Sequence, residues 1–152
     1  MSRIQRSALV PYSAEEMYAL VADVSSYGDF LPWCGGARVL DENADEVTAE
    51  VDIAYKKVRQ SFTTVNQLDP ARQINMKLKQ GPFSKLDGVW QFVPLDEHAS
   101  KIMLDIDFDF SNRVAAAVIR PVFSLIANGL VDAFHDRAKA LYGQRNVCLL
   151  YT

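Results

Sequence analysis

Few side chains in this sequence are of a type and spacing that could do acid, base or metal chemistry. His98 lies in the polar stretch DEHAS and His135 on the polar side of a helical period, so the two make neither a metal-ligand spacing nor a base beside a nucleophile. Asp105, Asp107 and Asp109 alternate with Ile106, Phe108 and Phe110, which puts all three carboxylates on the wet face of one strand as surface charge. Cys34 and Cys148 lack metal spacing and, far apart in the chain, read as two free thiols in a reducing compartment. The expectation is no catalytic residue, no metal and no required cofactor. What stands out instead is apolar. Tyr27, Phe30, Leu31 and Trp33 crowd the short segment SSYGDFLPWCGG, and Phe83 follows Gly81-Pro82. Trp90, Phe92, Val122, Phe123, Ile126 and Leu130 complete a set that could line a pocket for an apolar small molecule. For any single one of them, ordinary core packing is the commoner role. Large apolar groups in loops beside glycines suit a pocket mouth better, and that gives the set its force.

The elements that must position these residues follow from periodicity. Ile4 to Val10 reads as a strand ended by Pro11. Ser13 with Glu16 three residues on is a capping box, so a helix starts there and runs through Met17, Tyr18, Leu20, Val21 and Val24. Ser25 then caps a second helical turn that ends by Pro32. From Ala37 onward the period is two. Val47, Ala49, Val51, Ile53 and Tyr55 alternate with Thr48, Glu50 and Asp52. Gln60 to Leu68 is a weaker strand with Phe62 and Leu68 inward, Asp69-Pro70 a turn, and Ile74, Met76 and Leu78 another inward set. Phe83 is expected in a loop, followed by a strand through Gly88, Trp90 and Phe92. Ile102, Leu104, Ile106, Phe108 and Phe110 form the clearest strand. From Ser111 to about Tyr142 the period becomes helical, with Ala115, Ile119, Val122, Phe123, Ile126, Leu130, Ala133, Phe134 and Leu141 on one side. Seven strands joined by short turns predict one antiparallel sheet, and the long helix is the element available to cover it.

At 152 residues the chain is one domain by length, with 49% hydrophobic residues and a mean hydropathy of -0.04. The start, MSRIQRSALVPYS, has no apolar core of signal-peptide length, so the expected compartment is the cytosol. The run Val114 to Val131 approaches membrane-spanning length, but Arg120, Pro121, Ser124 and Asn128 interrupt it and a spanning helix is not expected. Net charge is -3, which gives no general argument for nucleic acid, and DNA is not expected as a partner. The charge is uneven, however: between Tyr55 and Leu86 stand Lys56, Lys57, Arg59, Arg72, Lys77, Lys79 and Lys85 against Asp69 alone. Lys77 and Lys79 share the outward face of one strand and Lys85 follows, so they could meet phosphates, or could be a solvated face paired with Asp105, Asp107 and Asp109.

Three stretches, ALVPYSAEEMYALVADVSSYGDFLPWC, QGPFSKLDGVWQFVPL and LDIDFDFSN, resemble the signature segments of the family that holds the coenzyme Q-binding protein of respiration and the bacterial ribosome association toxin. The resemblance spans about Arg3 to Gly143. It implies an α+β START-like helix-grip fold over residues 1–143, with two short helices after the first strand, followed by a short tail at 144–152. It further implies that the pocket binds ubiquinone or a similar lipid without turning it over, in support of respiratory electron transfer. Bacterial members are also described as binding the large ribosomal subunit and blocking its joining to the small one. Lys77, Lys79 and Lys85 would then contact the ribosome, or would make transient contact with the inner membrane surface. The label of oligoketide cyclase, also attached to the family, finds no residue support. Within the pocket, Arg137 falls by helical angle on the Ile119, Ile126 and Leu130 side, where its guanidinium could donate to a quinone carbonyl or anionic head group, or could snorkel outward or pair with an acid. Pro121 predicts a kink or break near Arg120, and Gly129 close approach; the two could make the helix a lid or merely fit it to a twisted sheet.

Overall fold

The computed structural model describes residues 2–144. Cys148 and all but the first residue of the expected tail lie outside them. The chain runs β1 (Ser2–Val10), α1 (Ala14–Ala22), a single 3-10 turn (Val24–Ser26), α2 (Tyr27–Phe30), β2 (Cys34–Glu42), β3 (Glu46–Tyr55), β4 (Val58–Asp69), β5 (Gln73–Gln80), β6 (Phe83–Pro94), β7 (Ser100–Phe110) and α3 (Arg113–Tyr142). The strands form one antiparallel sheet in the order β1-β7-β6-β5-β4-β3-β2. β1 and β2 are consecutive strands yet lie at opposite edges. The α1–α2 segment must therefore cross the sheet, which brings Tyr27 and Trp33 over its inner face.

Local chemistry explains most boundaries. Ser13 Oγ accepts from the Glu16 amide at 3.1 Å while Glu16 Oε1 accepts from the Ser13 amide at 2.9 Å, a complete capping box. Asn112 caps α3, its Oδ1 accepting from the Ala115 amide at 2.8 Å. At the far end the Tyr12 hydroxyl donates to the Gly143 carbonyl at 2.7 Å, tying the last turn of α3 to the end of β1. Gly81 lies at φ 155, where a Cβ would also come within 2.8 Å of Phe62 Cβ, so the β5–β6 turn needs glycine on both counts.

β7 buries every second residue from Ser100 to Phe110, the pattern its alternation predicts for a sheet with one dry face. On α3, Ile119, Phe123, Ile126, Ala127, Val131, Phe134 and Ala138 are buried against the sheet. Phe123 meets Phe62, Phe83 and Phe108 at ring centroid distances of 6.2, 4.9 and 4.7 Å. Phe134 meets Tyr27, Phe30 and Trp90 at 5.5, 5.4 and 5.4 Å.

Several expectations need correction. α1 stops at Ala22, and Val24 belongs to the 3-10 turn; Ser25 caps nothing, since Ser26 is the residue before α2 and its side chain makes no cap bond. Phe83 is the buried first residue of β6, not a loop residue, because Ser111 N and Oγ both donate to the Pro82 carbonyl and close that end of the sheet. Thr48, expected on the wet face of β3, is buried at 6%. Leu141 is 53% exposed because the buried face of α3 rotates toward Val131, Phe134 and Ala138 as the helix crosses the sheet. Pro121 does not break α3, which is one helix from Arg113 to Tyr142. Replacing Ser13 by Ala removes one arm of the capping box and should lower the unfolding free energy by about 1 kcal/mol, read from urea denaturation.

Candidate functional site

Between the two aromatic contacts of α3 the helix presents Ile126, Ala127 and Leu130, and the sheet opposite presents Gly88 flanked by Met76 and Ile106. Small or flexible groups face one another there, and a cavity of about 80 Å³ remains. Phe123 closes one end and Phe134, with Tyr27 and Trp90, the other. Ala49, Val51, Ile53, Phe62, Thr64 and Asn66 of β3 and β4 complete the wall from the far side of the sheet.

The lining carries no Asp, Glu, His, Lys or Arg. Tyr27 is its one ionisable group; its hydroxyl donates to the Val21 carbonyl, and burial, helped by the nearby charge of Asp23, pushes its pKa well above the ordinary phenol range. The polar part of the wall is small. Thr64 Oγ1 donates to Asn66 Oδ1 at 2.8 Å, which leaves the two N–H bonds of Asn66 Nδ2 without a partner among the described residues. The indole N–H of Trp90 has none either. No enclosed side-chain nitrogen or oxygen among the described residues is left unsatisfied, and Asn66 and Trp90 are both buried residues of the cavity wall.

Of the residues expected from sequence to line a pocket, Tyr27, Trp33, Trp90, Phe123, Ile126 and Leu130 do so. Phe83 stacks on Phe110 and supports Phe123 from behind, and Phe92 packs against Tyr18 and Trp90. Val122 packs on the core beside the cavity. Leu31 walls a second, outer groove of about 240 Å³, together with Pro32, Tyr55, Leu125, Gly129 and Ala133. Trp33 and Ile126 belong to both, so these two side chains are the partition between cavity and groove. Arg137 does not reach the cavity. Its guanidinium lies over the ring of Phe30, 4.8 Å from the centroid, a cation held by an aromatic face outside the wall.

Thr64 and Asn66 were hidden in the sequence because their polarity marks β4 as a weak, wet strand. The available signal was their shared parity with Phe62 and Leu68, which places all four on the inner face.

On the outer face, Asp105 takes Arg3 at 2.7 Å, Asp107 lies 3.9 Å from the same guanidinium, and Asp109 takes Arg120 at 3.3 Å. The Arg3 guanidinium holds the Asp105 carboxyl below the usual carboxylate range. Lys85 stands 4.0 Å from Asp87. Lys77, directly across from Asp87, and Lys79 form no ion pair among the described residues. The expected pairing of these lysines with the three acids of β7 does not occur: β6 stands between β7 and the strand that carries Lys77 and Lys79, Lys85 turns to Asp87, and Arg3 and Arg120 take the acids.

A model of the family described as polyketide cyclase / dehydrase and lipid transport matches residues 10–135. The chain belongs to this family. It is 48% identical over 142 residues to the ribosome association toxin RatA of Pseudomonas aeruginosa, covering 93% of this chain and 99% of that one. It is 46% identical to RatA of Escherichia coli, covering 95% and 92%. With the mitochondrial coenzyme Q-binding protein COQ10 homolog B of Xenopus laevis it shares 29% identity, covering 94% of this chain and 60% of that one. Among solved structures, the Zhui aromatase/cyclase of Streptomyces superposes with a TM-score of 0.80 at 19% identity, covering 91% and 93%. A START superfamily protein of Mycobacterium smegmatis gives 0.77 at 21%, covering 91% and 98%. These two establish the START-like fold of the chain and no more than that.

Arg137→Ala should lower stability by about 0.5–1 kcal/mol through loss of the contact with Phe30, read from urea denaturation.

Proposed function

We propose that this protein holds an uncharged apolar ligand of the quinone type, ubiquinone being the candidate, and does not turn it over. The observation that carries the reading is the cavity wall: hydrocarbon and aromatic surface, no carboxylate, imidazole, amine or guanidine, and N–H donors at Asn66 and Trp90 with no partner among the described residues. A quinone presents two carbonyl acceptors, no donor and otherwise hydrocarbon, which is the complement of that wall. The one ionisable group of the wall, the Tyr27 hydroxyl, already donates to the Val21 carbonyl and has its pKa raised by burial, so it is a poor acid or base for chemistry, which is why binding is proposed and catalysis is not. The relative named as a coenzyme Q-binding protein lends support at 29% identity. Such a ligand would place the protein in the cytoplasm with access to the inner membrane, in support of respiratory electron transfer.

Size refines the proposal. At about 80 Å³ the cavity is well below the roughly 300–1,000 Å³ of pockets that enclose drug-sized ligands. A ring with an isoprenoid chain therefore fits only with Trp33 and Ile126 displaced, the ring lodged inside and the chain leaving along the outer groove. Mass spectrometry of an organic extract of the native protein should find a quinone. Asn66→Leu combined with Thr64→Val, which roughly keep the volumes and remove the donor together with the hydroxyl it would orphan, should weaken short-chain ubiquinone roughly three- to tenfold with little change in melting temperature. An extract free of quinone, together with tryptophans that do not respond to the titration, would sink the proposal.

A second reading concerns the outside of the molecule and is compatible with the first. Near full-length relatives at 48% and 46% identity are named ribosome association toxins, and Lys77 and Lys79 are cations with no ion pair among the described residues. We propose that this face meets the phosphate backbone of the large ribosomal subunit and so opposes subunit joining. Lys77→Glu with Lys79→Glu should lower co-sedimentation with isolated large subunits roughly tenfold or more, and steepen no loss of quinone binding. Undiminished co-sedimentation would remove the two lysines from the contact.

A further inference from the structure

The sheet takes one side of α3, but the other side is not uniformly polar. Val114, Val118 and Leu125 are 74%, 52% and 56% exposed, and their spacing of four and seven residues sets them in one stripe. Ala117 and Pro121 are exposed between them. The most apolar stretch of this helix has a mean hydropathy of 1.8 with only 28% of it buried. The stripe ends at Asn128, after which Asp132 and Asp136 take the outward positions.

Two further features adjoin the stripe. Leu125 is also a wall of the outer groove, and that groove shares Trp33 and Ile126 with the cavity. Across the groove from Leu125 stands Tyr55, at the start of the β3–β4 hairpin, with the Lys56 ammonium 5.5 Å from its ring centroid. Arg59 folds back to donate to the Lys56 carbonyl at 2.6 Å. Lys56, Lys57 and Arg59 form no ion pair among the described residues, nor does Arg113 at the head of the stripe. Aliphatic side chains in water beside unneutralised cations call for a partner that is both apolar and anionic. A polynucleotide would satisfy the cations and leave the stripe in water, whereas the face of an anionic bilayer satisfies both at once.

We infer that the first half of α3 and the β3–β4 hairpin together form a docking surface for an anionic phospholipid membrane. Val114, Val118 and Leu125 enter the boundary between head groups and acyl chains, and Lys56, Lys57 and Arg59 meet the phosphates. The groove then opens at the membrane surface, and an apolar molecule can pass along it toward Trp33 and Ile126 without crossing water. This surface is distinct from the one that carries Lys77 and Lys79, and it does not require that the cavity ligand be a quinone.

The test uses the full chain and vesicles of phosphatidylcholine, with and without phosphatidylglycerol. The protein should sediment with the mixed vesicles and not with the neutral ones. Val118→Asp with Leu125→Asp, and separately Lys56→Glu with Lys57→Glu, should each weaken that association roughly tenfold or more. All of these positions are exposed, so the circular dichroism melt should stay near that of the parent chain. Three results would overturn the inference. One is no sedimentation with mixed vesicles, or sedimentation that survives Val118→Asp with Leu125→Asp. Another is a dimer in sedimentation equilibrium that the same pair of changes dissociates, which would give the stripe to a second copy. The third is loss of ribosomal subunit binding in that pair with vesicle binding intact. Failure here leaves the quinone proposal standing, since cargo is read by mass spectrometry on protein that never met a vesicle.

Discussion

Phe123 and Phe134 hold α3 to the sheet at two places eleven positions apart, roughly 16 Å along the helix. Each is ringed by aromatic partners, Phe62, Phe83 and Phe108 for the first, Tyr27, Phe30 and Trp90 for the second. Truncating a buried phenylalanine costs about 3–5 kcal/mol, against a net stability of about 5–15 kcal/mol for a typical domain. The helix is thus fixed at its two contacts by interactions that are each a large share of the whole. Between them nothing comparable reaches across. Ala127 is small, Gly88 has no side chain, and the cavity is what a rigid helix leaves when it rests on two bulky supports.

The character of that cavity follows from where its walls come from. Inner-face positions of β3, β4, β5, β6 and β7 are apolar because they also build the core, and a charge among them would have to be desolvated without a partner. Thr64 and Asn66 are the exception, and they are tolerated because the threonine hydroxyl satisfies the asparagine oxygen. The residue of that arrangement is a donor. A charged occupant would have to be desolvated against such a wall without a partner, which is the same constraint that keeps charged side chains out of it.

Much of this was legible from residue types alone. The capping box at Ser13 and Glu16, the strict alternation of β7 and the helical period after Ser111 are local signals that tertiary structure had no reason to override; an antiparallel sheet covered by the long helix follows from their order, and the resemblance to a known family supplied the START-like arrangement. The site was only half legible. Phe83 looked like a loop residue because Gly81-Pro82 precedes it, but the turn those residues make is tight and the strand resumes at once. Arg137 shares a helical angle with inward residues, yet α2 stands in front of it and offers the ring of Phe30. Asn66 is concealed by its polarity, which in a strand ordinarily means exposure. The opposite error hid Val114, Val118 and Leu125. A helical wheel sorts residues by type, and it cannot show that a helix apolar on both sides has a sheet for only one of them.

That last point bears on how the interior and the exterior are coupled. Trp33 and Ile126 separate a cavity of about 80 Å³ from a groove whose outer wall is Leu125. Any occupant larger than the void must move one or both of them, and movement of either reshapes the groove. Ile126 lies beside Leu125 in the chain, on the one helix whose inner face is pinned at Phe123 and Phe134. Since the pinned rings cannot give without losing their partners, the strain of a large ligand is directed away from the sheet, toward the partition and the short segment that carries Trp33. The fold therefore channels the effect of filling its interior toward the surface where α3 is least covered.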